Sequence, residues 1–190
     1  MSNQEISIII STYNAVDWLK KVLWGYQQQT LQNFEIVIAD DGSTEDTKLA
    51  IEEIQSVVNY PITHIWHEDT GFQKSQILNK AIVACKTPYI IMSDGDCIPR
   101  KDFVAVHHQY KEEGCFLSGG YFMLPMNIST LISKNNIEDN DCFSISWLKK
   151  NGLKSSFKNN KLNAKGTIST FLNYVTPTKP TWNGHNASGW

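Results

Sequence analysis

Phe34-Glu35-Ile36-Val37-Ile38-Ala39 runs straight into Asp40-Asp41-Gly42-Ser43, and the fold follows from that junction. The first six residues are mostly apolar and rich in strand formers. Asp-Gly turns the chain, and Asp41 or Ser43 is placed to cap a following helix. Leu49, Ile51, Ile54 and Val57 then recur at helical spacing. The same unit lies upstream. Ile6 to Ile10 reads as a strand, Ser11-Thr12-Tyr13-Asn14 as a polar turn, and Ala15 to about Gln28 as a helix carrying Val16, Leu19, Val22, Leu23 and Tyr26. Downstream come a strand over Ile62 to Trp66, a helix over Gln73 to Cys85, and a strand Tyr89-Ile90-Ile91-Met92 entering Ser93-Asp94-Gly95-Asp96.

Strand and helix alternate four times within about a hundred residues, which predicts an α/β fold: a mostly parallel sheet with right-handed helical crossovers. The strands are nearly continuous apolar runs, as expected when helices cover both sheet faces. Ligands of such sheets sit beyond the carboxyl ends of the strands. Thr12, Asn14, Asp40, Asp41, Glu68, Asp69, Asp94 and Asp96 all fall there. Beyond Asp102 the pattern loosens. Phe103 to Lys111 reads as a helix, Phe116 to Met123 as a strand around Gly119-Gly120, and residues 128–170 as a polar excursion with one or two short helices.

The 190 residues are 41% hydrophobic and 19% charged, which suits one globular domain and excludes a disordered polyelectrolyte. The net charge of −2 excludes the basic excess of a dedicated nucleic-acid binder. All 19 acidic residues, but 10 of the 17 basic ones, lie up to Asp141, leaving −9 there and +7 after it. That basic tail suits either a solvated Lys-rich face or peripheral contact with an anionic membrane surface. Cys85, Cys97, Cys115 and Cys142 form no C-x-x-C pair, and no signal-like segment precedes the first strand, so reduced thiols in a cytoplasmic protein are expected.

Asp94-Gly95-Asp96 carries the strongest chemical signal. Two carboxylates one residue apart at the end of a buried strand repel each other, and a hard divalent cation such as Mg²⁺ or Mn²⁺ relieves that repulsion while taking phosphate oxygens for the rest of its shell. The competing reading is a surface Asp-Gly turn. At Asp40-Asp41, a carboxylate accepting from a nucleobase imide or a ribose competes with simple helix capping. Tyr13 either packs on a base or is an ordinary surface tyrosine. No phosphate-cradling glycine loop follows the first strand, which argues against a nucleoside-triphosphatase, a dehydrogenase and a sugar-nucleotide pyrophosphorylase.

Taken together, Ile8-Ile9-Ile10-Ser11-Thr12-Tyr13-Asn14, Ile36-Val37-Ile38-Ala39-Asp40-Asp41-Gly42-Ser43 and Asp94-Gly95-Asp96 resemble family 2 glycosyltransferases of the GT-A fold. His67-Glu68-Asp69-Thr70-Gly71-Phe72, Asn79-Lys80-Ala81, and Asp96-Cys97-Ile98-Pro99 with Phe103 and His107 resemble the branch that includes chondroitin polymerases and galactosyltransferase-like domains. Trp182-Asn183-Gly184-His185-Asn186 resembles the family's G-x-N segment.

The resemblance implies a single Rossmann-like GT-A domain over 1–190, with residues 1–100 as the nucleotide-binding half and 101–190 as the start of an acceptor-side half. It implies a metal-dependent inverting transfer of a sugar from a UDP-sugar to a glycan or glycolipid acceptor, in surface polysaccharide synthesis at the cytoplasmic side. Thr12, Tyr13 and Asn14 would meet the nucleoside, and Asp40 would read the uracil with Asp41 nearby. Asn79 would hold the diphosphate-side loop, and Asn186 would lie near the sugar. Asp94 would meet ribose, sugar or metal, and Asp96 would be the main Mn²⁺ or Mg²⁺ ligand. The family's Arg after Gly-Phe is Gln73 in this chain, so Lys74 is the expected diphosphate cation; its alternative is an exposed helix residue. An inverting reaction also needs a carboxylate base downstream of the G-x-N segment. No Asp or Glu follows Asp141, so the expected fold is C-terminally incomplete, with the base beyond Trp190. The alternative is a UDP- and metal-binding fragment that does not turn over.

Overall fold

A computed structural model describes residues 4–156, 159, 162, 164 and 181–190. These fall into two compact units, Met1–Tyr121 with Trp182–Trp190, and Phe122–Thr181.

In the first unit the strands are β1 (Ile6–Thr12), β2 (Phe34–Asp40), β3 (Ile62–Trp66), β4 (Ile90–Asp94), β5 (Leu117–Ser118) and β6 (Ala187–Gly189). The helices are α1 (Val16–Gln27), α2 (Glu45–Gln55), α3 (Lys74–Ala84) and α4 (Phe103–Tyr110). The sheet order is β3-β2-β1-β4-β6-β5, parallel through the first four strands, with β6 antiparallel to both of its neighbours. The four strand–helix pairs read from the sequence are thus present, with ends displaced by a residue or two.

Both faces of β1 and β2 are buried, which explains why their sequences do not alternate. Ile8, Ile10, Ile36 and Ile38 pack with Leu19, Val22, Leu23 and Tyr26 of α1 and with Ile51 and Ile54 of α2. Ile9, Val37 and Ala39 face the other way, onto Ile77 and Ala81 of α3. Each fully buried aliphatic side chain contributes roughly 1.5–3 kcal/mol of transfer free energy. The core therefore rests on these two layers.

The expected strand over Phe116 to Met123 is corrected to two residues. Past Ser118 the backbone is held by Asn186 instead of by a ladder: Gly119 N–H donates to the Asn186 carbonyl (2.8 Å), and the Asn186 side-chain amide donates to the Gly120 carbonyl (2.8 Å). A β-carbon at Gly119 would overlap the Asn186 side chain, so glycine permits this approach.

Among its described residues the second unit holds three short α-helices, α5 (Met126–Leu131), α6 (Lys134–Glu138) and α7 (Ile145–Lys150), where one or two were expected. Ile128, Ile132, Ile137, Cys142 and Leu148 are its buried apolar residues. Of the basic tail, Lys158, Lys161, Lys165 and Lys179 lie outside the described residues. The four cysteines are free thiols. Among the described residues no helix is long and apolar enough to cross a membrane.

Candidate functional site

The chain proceeds from β1 outward to β2 and β3, then returns to place β4 on the other side of β1. That reversal opens a crevice at the carboxyl ends of β1 and β4, the usual ligand position in a doubly wound sheet. A cleft of about 430 Å³ occupies it, within the usual range for a small-molecule site. Tyr13, Trp18, Phe72 and Ile77 supply its apolar surface; Thr12, Asp41, Asp69, Lys74, Asp94 and Asp96 supply its polar groups.

β1 and β4 register Ser11 opposite Asp94. Ser11 Oγ donates to Asp94 Oδ1 at 2.6 Å, and Lys74 Nζ, from the first residue of α3, donates to the same oxygen at 2.7 Å. Burial alone would push the Asp94 carboxyl up, but the hydrogen bonds from Lys74 and Ser11 outweigh it and hold the carboxyl below the usual range. Asp96 is exposed and makes no ion pair among the described residues; the neighbouring Cys97 thiol donates weakly to it. Burial and Asp96 push that thiol up to about 12, which makes it a poor nucleophile. Gly95 N–H donates to the Ser11 carbonyl at 2.8 Å, and a β-carbon there would stand 2.8 Å from that oxygen. The turn between the two carboxylates therefore requires glycine.

Thr12 Oγ1 is buried and has no hydrogen-bond partner. A buried unpartnered hydroxyl costs roughly 1–3 kcal/mol, and here it belongs to a residue lining the cleft. Asp41 also lines the cleft. Its Oδ1 is 2.8 Å from His67 Nε2, and its Oδ2 accepts Gln73 N–H at 3.0 Å, at the start of α3. Lys80 Nζ lies 3.3 Å from His67 Nδ1; an ammonium only donates, so the His67 ring proton is on Nε2, directed at Asp41. Tyr13, half-exposed, donates its hydroxyl to Asp69 Oδ2 at 2.8 Å. Gly71 N–H donates to the other Asp69 oxygen, and these bonds hold the Asp69 carboxyl down while Asp69 pushes the Tyr13 phenol up. Phe72, 88% exposed, projects from the same loop.

Thr12, Tyr13, Asp41, Lys74, Asp94 and Asp96 are therefore brought together on the cleft; Asp40, Asn14, Asn79 and Asn186, also expected at the site, do not line it. Asp40 is 1% exposed and committed inside the fold: Oδ1 accepts Ser43 N–H (2.8 Å) and Oδ2 meets His64 Nε2 (2.9 Å). Asn14 adopts a positive φ of 46° and fastens the β2–α2 turn, accepting Thr44 N–H (2.9 Å) and donating its own N–H to Ser43 Oγ (2.8 Å). Asn79 is exposed on α3, more than one turn past Lys74, and does not line the cleft. The Asn186 side chain is tied to Gly120 and to His107 Nε2 (3.0 Å).

What reaches the cleft from the G-x-N segment is the backbone at Gly184, where a β-carbon would stand 3.6 Å from Lys74 Nζ and 3.7 Å from Asp94 Oδ1. His107 holds that segment from below. It is 5% exposed, its Nδ1 is 2.6 Å from Ser188 Oγ, and Ser188 Oγ is 2.6 Å from the Tyr89 hydroxyl. Burial pushes its pKa down, so the ring is a neutral clamp. Trp18, Asp69 and Phe72 were not singled out as site residues in the sequence. Asp69 stood among the polar strand-end residues, and Trp18 follows one helical turn after Asn14, which is the local signal that could have found them.

The lining carries four carboxylates (Asp41, Asp69, Asp94 and Asp96) against one ammonium, Lys74. An anionic ligand would be repelled unless a cation came with it. Among the described residues no group of three or more His, Cys, Asp or Glu is placed to hold a metal by itself. One or two carboxylates, completed by ligand oxygens, is the donor set a hard divalent cation accepts, so Asp96 and Asp94 fit such an ion.

The fold is that of GT-A nucleotide-diphospho-sugar transferases. It matches the mannosyltransferase PcManGT from Pyrobaculum calidifontis, solved with GDP-Man and Mn²⁺, at a TM-score of 0.50 and 22% identity, over 56% of this chain and 32% of that one. The chain belongs to glycosyl transferase family 2, whose family model matches residues 7–122. It is 33% identical over 95 residues to chondroitin synthase of Escherichia coli, covering 50% of this chain and 14% of that protein. It is 31% identical over 109 residues to hyaluronan synthase of Pasteurella multocida, covering 57% of this chain and 11% of that protein. The chain thus spans a small part of these relatives' length.

Proposed function

We propose that this chain is the donor-binding part of a metal-dependent, inverting glycosyltransferase that uses a UDP-sugar and a glycan or glycolipid acceptor. The observation that carries the reading is the net-acidic cleft at the β1/β4 switch point, with a buried unpartnered hydroxyl at Thr12 and an unpaired carboxylate at Asp96. Such a cleft suits an anionic nucleotide that arrives with a divalent cation, Mn²⁺ or Mg²⁺. The aromatic surfaces of Tyr13, Trp18 and Phe72 suit a planar base. Thr12 Oγ1 offers a donor and acceptor to the nucleoside, and Asp41, fixed by His67 and Gln73 N–H, presents an oriented carboxylate beside it. Lys74 is placed to meet the diphosphate.

In the reaction an acceptor hydroxyl attacks the anomeric carbon as its proton passes to a general base, the bond from that carbon to the diphosphate oxygen breaks, and UDP departs with the negative charge. The bound cation supplies neutralisation of that leaving charge. Lys74 would hold the diphosphate end and Asp96 and Asp94 the cation, and Gly184 would keep the backbone close enough to exclude water on that side. Activity on a surface polysaccharide at the cytoplasmic face, with the lysines after Asp141 resting on an anionic membrane, belongs to the same proposal.

Calorimetric titration with UDP tests the reading. Heat of binding with Mn²⁺ that vanishes in excess chelator and falls sharply in Asp96→Asn is the expected outcome; equal binding with and without metal overturns it. A second reading is UDP and metal binding without turnover by residues 1–190 alone, since residues 142–190 contain no Asp or Glu to take the acceptor proton. Release of UDP from UDP-sugars in the presence of glycan oligomers separates the two.

A further inference from the structure

Asp94 Oδ1 already accepts two hydrogen bonds, from Ser11 Oγ at 2.6 Å and from Lys74 Nζ at 2.7 Å. A carboxylate oxygen has two lone pairs, so this one is saturated by the protein itself. Its position is fixed by the register of β1 on β4, and the Gly184 backbone closes over the Lys74–Asp94 pair. Asp96, two residues on, has no such partner. Gln73, where the family resemblance expects a cation, turns its side chain to Thr70 Oγ1, and Lys74 lines the cleft. The Lys74 side chain is about a third exposed, so the pair can open without unfolding anything.

We infer that Lys74 holds the cation site closed until a diphosphate arrives, and thereby couples cation binding to nucleotide binding. This rests on the donor-site reading above. Without nucleotide, the Lys74 ammonium occupies Asp94 and repels any second positive charge drawn to Asp96. A diphosphate gives the ammonium a better partner. Asp94 is then free to join Asp96 on the cation, and the cation in turn screens the diphosphate from the acidic lining. Coupling of this kind is reciprocal: whatever factor UDP adds to cation affinity, the cation adds to UDP affinity. Its use is economy of chemistry, since a cation-loaded but empty cleft, open to water, is disfavoured.

Mn²⁺ binding, followed by the loss of the free-ion electron paramagnetic resonance signal, tests this without any turnover. The wild-type chain, Lys74→Met and Lys74→Arg are each titrated with Mn²⁺ alone and with saturating UDP. Lys74→Met should bind Mn²⁺ alone roughly tenfold more tightly than wild type, and the further gain from UDP should be correspondingly smaller than in wild type. Lys74→Arg keeps the charge and should behave as wild type. Lys74→Met binding Mn²⁺ alone no better than wild type, while wild type still gains affinity with UDP, overturns the coupling and leaves the donor site standing. No Mn²⁺ binding by wild type even at saturating UDP overturns both.

Discussion

The two ends of the sheet carry buried or half-buried carboxylates, and the protein treats them in opposite ways. At the amino end, Glu35 of β2 is 0% exposed. Its Oε1 accepts Ser7 Oγ–H and Lys86 N–H, both at 2.7 Å, and Thr87 Oγ1 lies 2.9 Å from the same Ser7 hydroxyl. Its Oε2 has no hydrogen bond, only the Lys86 ammonium at 3.5 Å. Here a carboxylate knits β1, β2 and the α3–β4 loop together, and its partners are protein groups. At the carboxyl end, among the described residues, Asp96 has no ion pair, Thr12 has a buried hydroxyl without a partner, and the cleft sets four acidic side chains against one lysine. At the carboxyl end the open groups line the cleft, where a ligand can complete the bonding.

The sharpest way to break the comparison is Glu35→Ala. It leaves Ser7 with only Thr87 and Lys86 N–H without its carboxylate, and removing one member of a buried polar set costs about 3 kcal/mol. The urea midpoint should fall accordingly, while the protein that remains folded binds UDP with Mn²⁺ as before. A loss of binding at unchanged stability would contradict the division of labour. Asp96→Asn is the mirror experiment. Its stability should move by less than about 0.5 kcal/mol, as for an exposed site. Metal-dependent UDP binding should weaken by roughly 2 kcal/mol, about thirtyfold.

The same contrast explains what the sequence could show. The strands and helices were legible because apolar runs and helical spacing are local properties. Asp94, Asp96, Asp41 and Thr12 were legible as strand-end polar residues because a parallel sheet brings its carboxyl ends together. Asp40 and Asp41 are adjacent and chemically identical, yet only Asp41 lines the cleft. Each meets a histidine, His64 and His67, 24 and 26 residues further along the chain, but the second oxygen of Asp40 is held by Ser43 N–H within its own turn and that of Asp41 by Gln73 N–H at the start of α3. Asn186 was drawn inward in the same way by His107, 79 residues before it. Such pairings across elements leave no periodic trace.

His107 allows a subtler test. Its pKa is lowered by burial, so in acid the unfolded chain takes up a proton that the folded chain resists. Stability is therefore full above the unfolded value near 6.5 and declines as pH falls below it. Between pH 7 and 5.5 the decline should reach up to about 1 kcal/mol in urea melts. His107→Gln should flatten that difference relative to wild type; an unchanged slope would mean that the clamp is not what titrates.

Thr12→Val carries the smallest expected effect and the most diagnostic sign. Valine has nearly the shape of threonine, so packing against Gly95 and the β1 backbone is retained, and only the hydroxyl goes. At most buried sites that loss is destabilising, because a hydrogen-bond partner is abandoned. Thr12 Oγ1 has no partner to abandon. The valine variant should therefore be more stable by about 0.5–1 kcal/mol, since a buried group that cannot bond is replaced by one that need not. If the hydroxyl is kept for the nucleoside, the same change should weaken UDP binding by about 0.5–1.5 kcal/mol. A variant that gains stability and loses affinity identifies a group that the fold pays to hold ready. One that gains stability with affinity intact would move the nucleoside contact away from Thr12, to the neighbouring backbone and to Asp41.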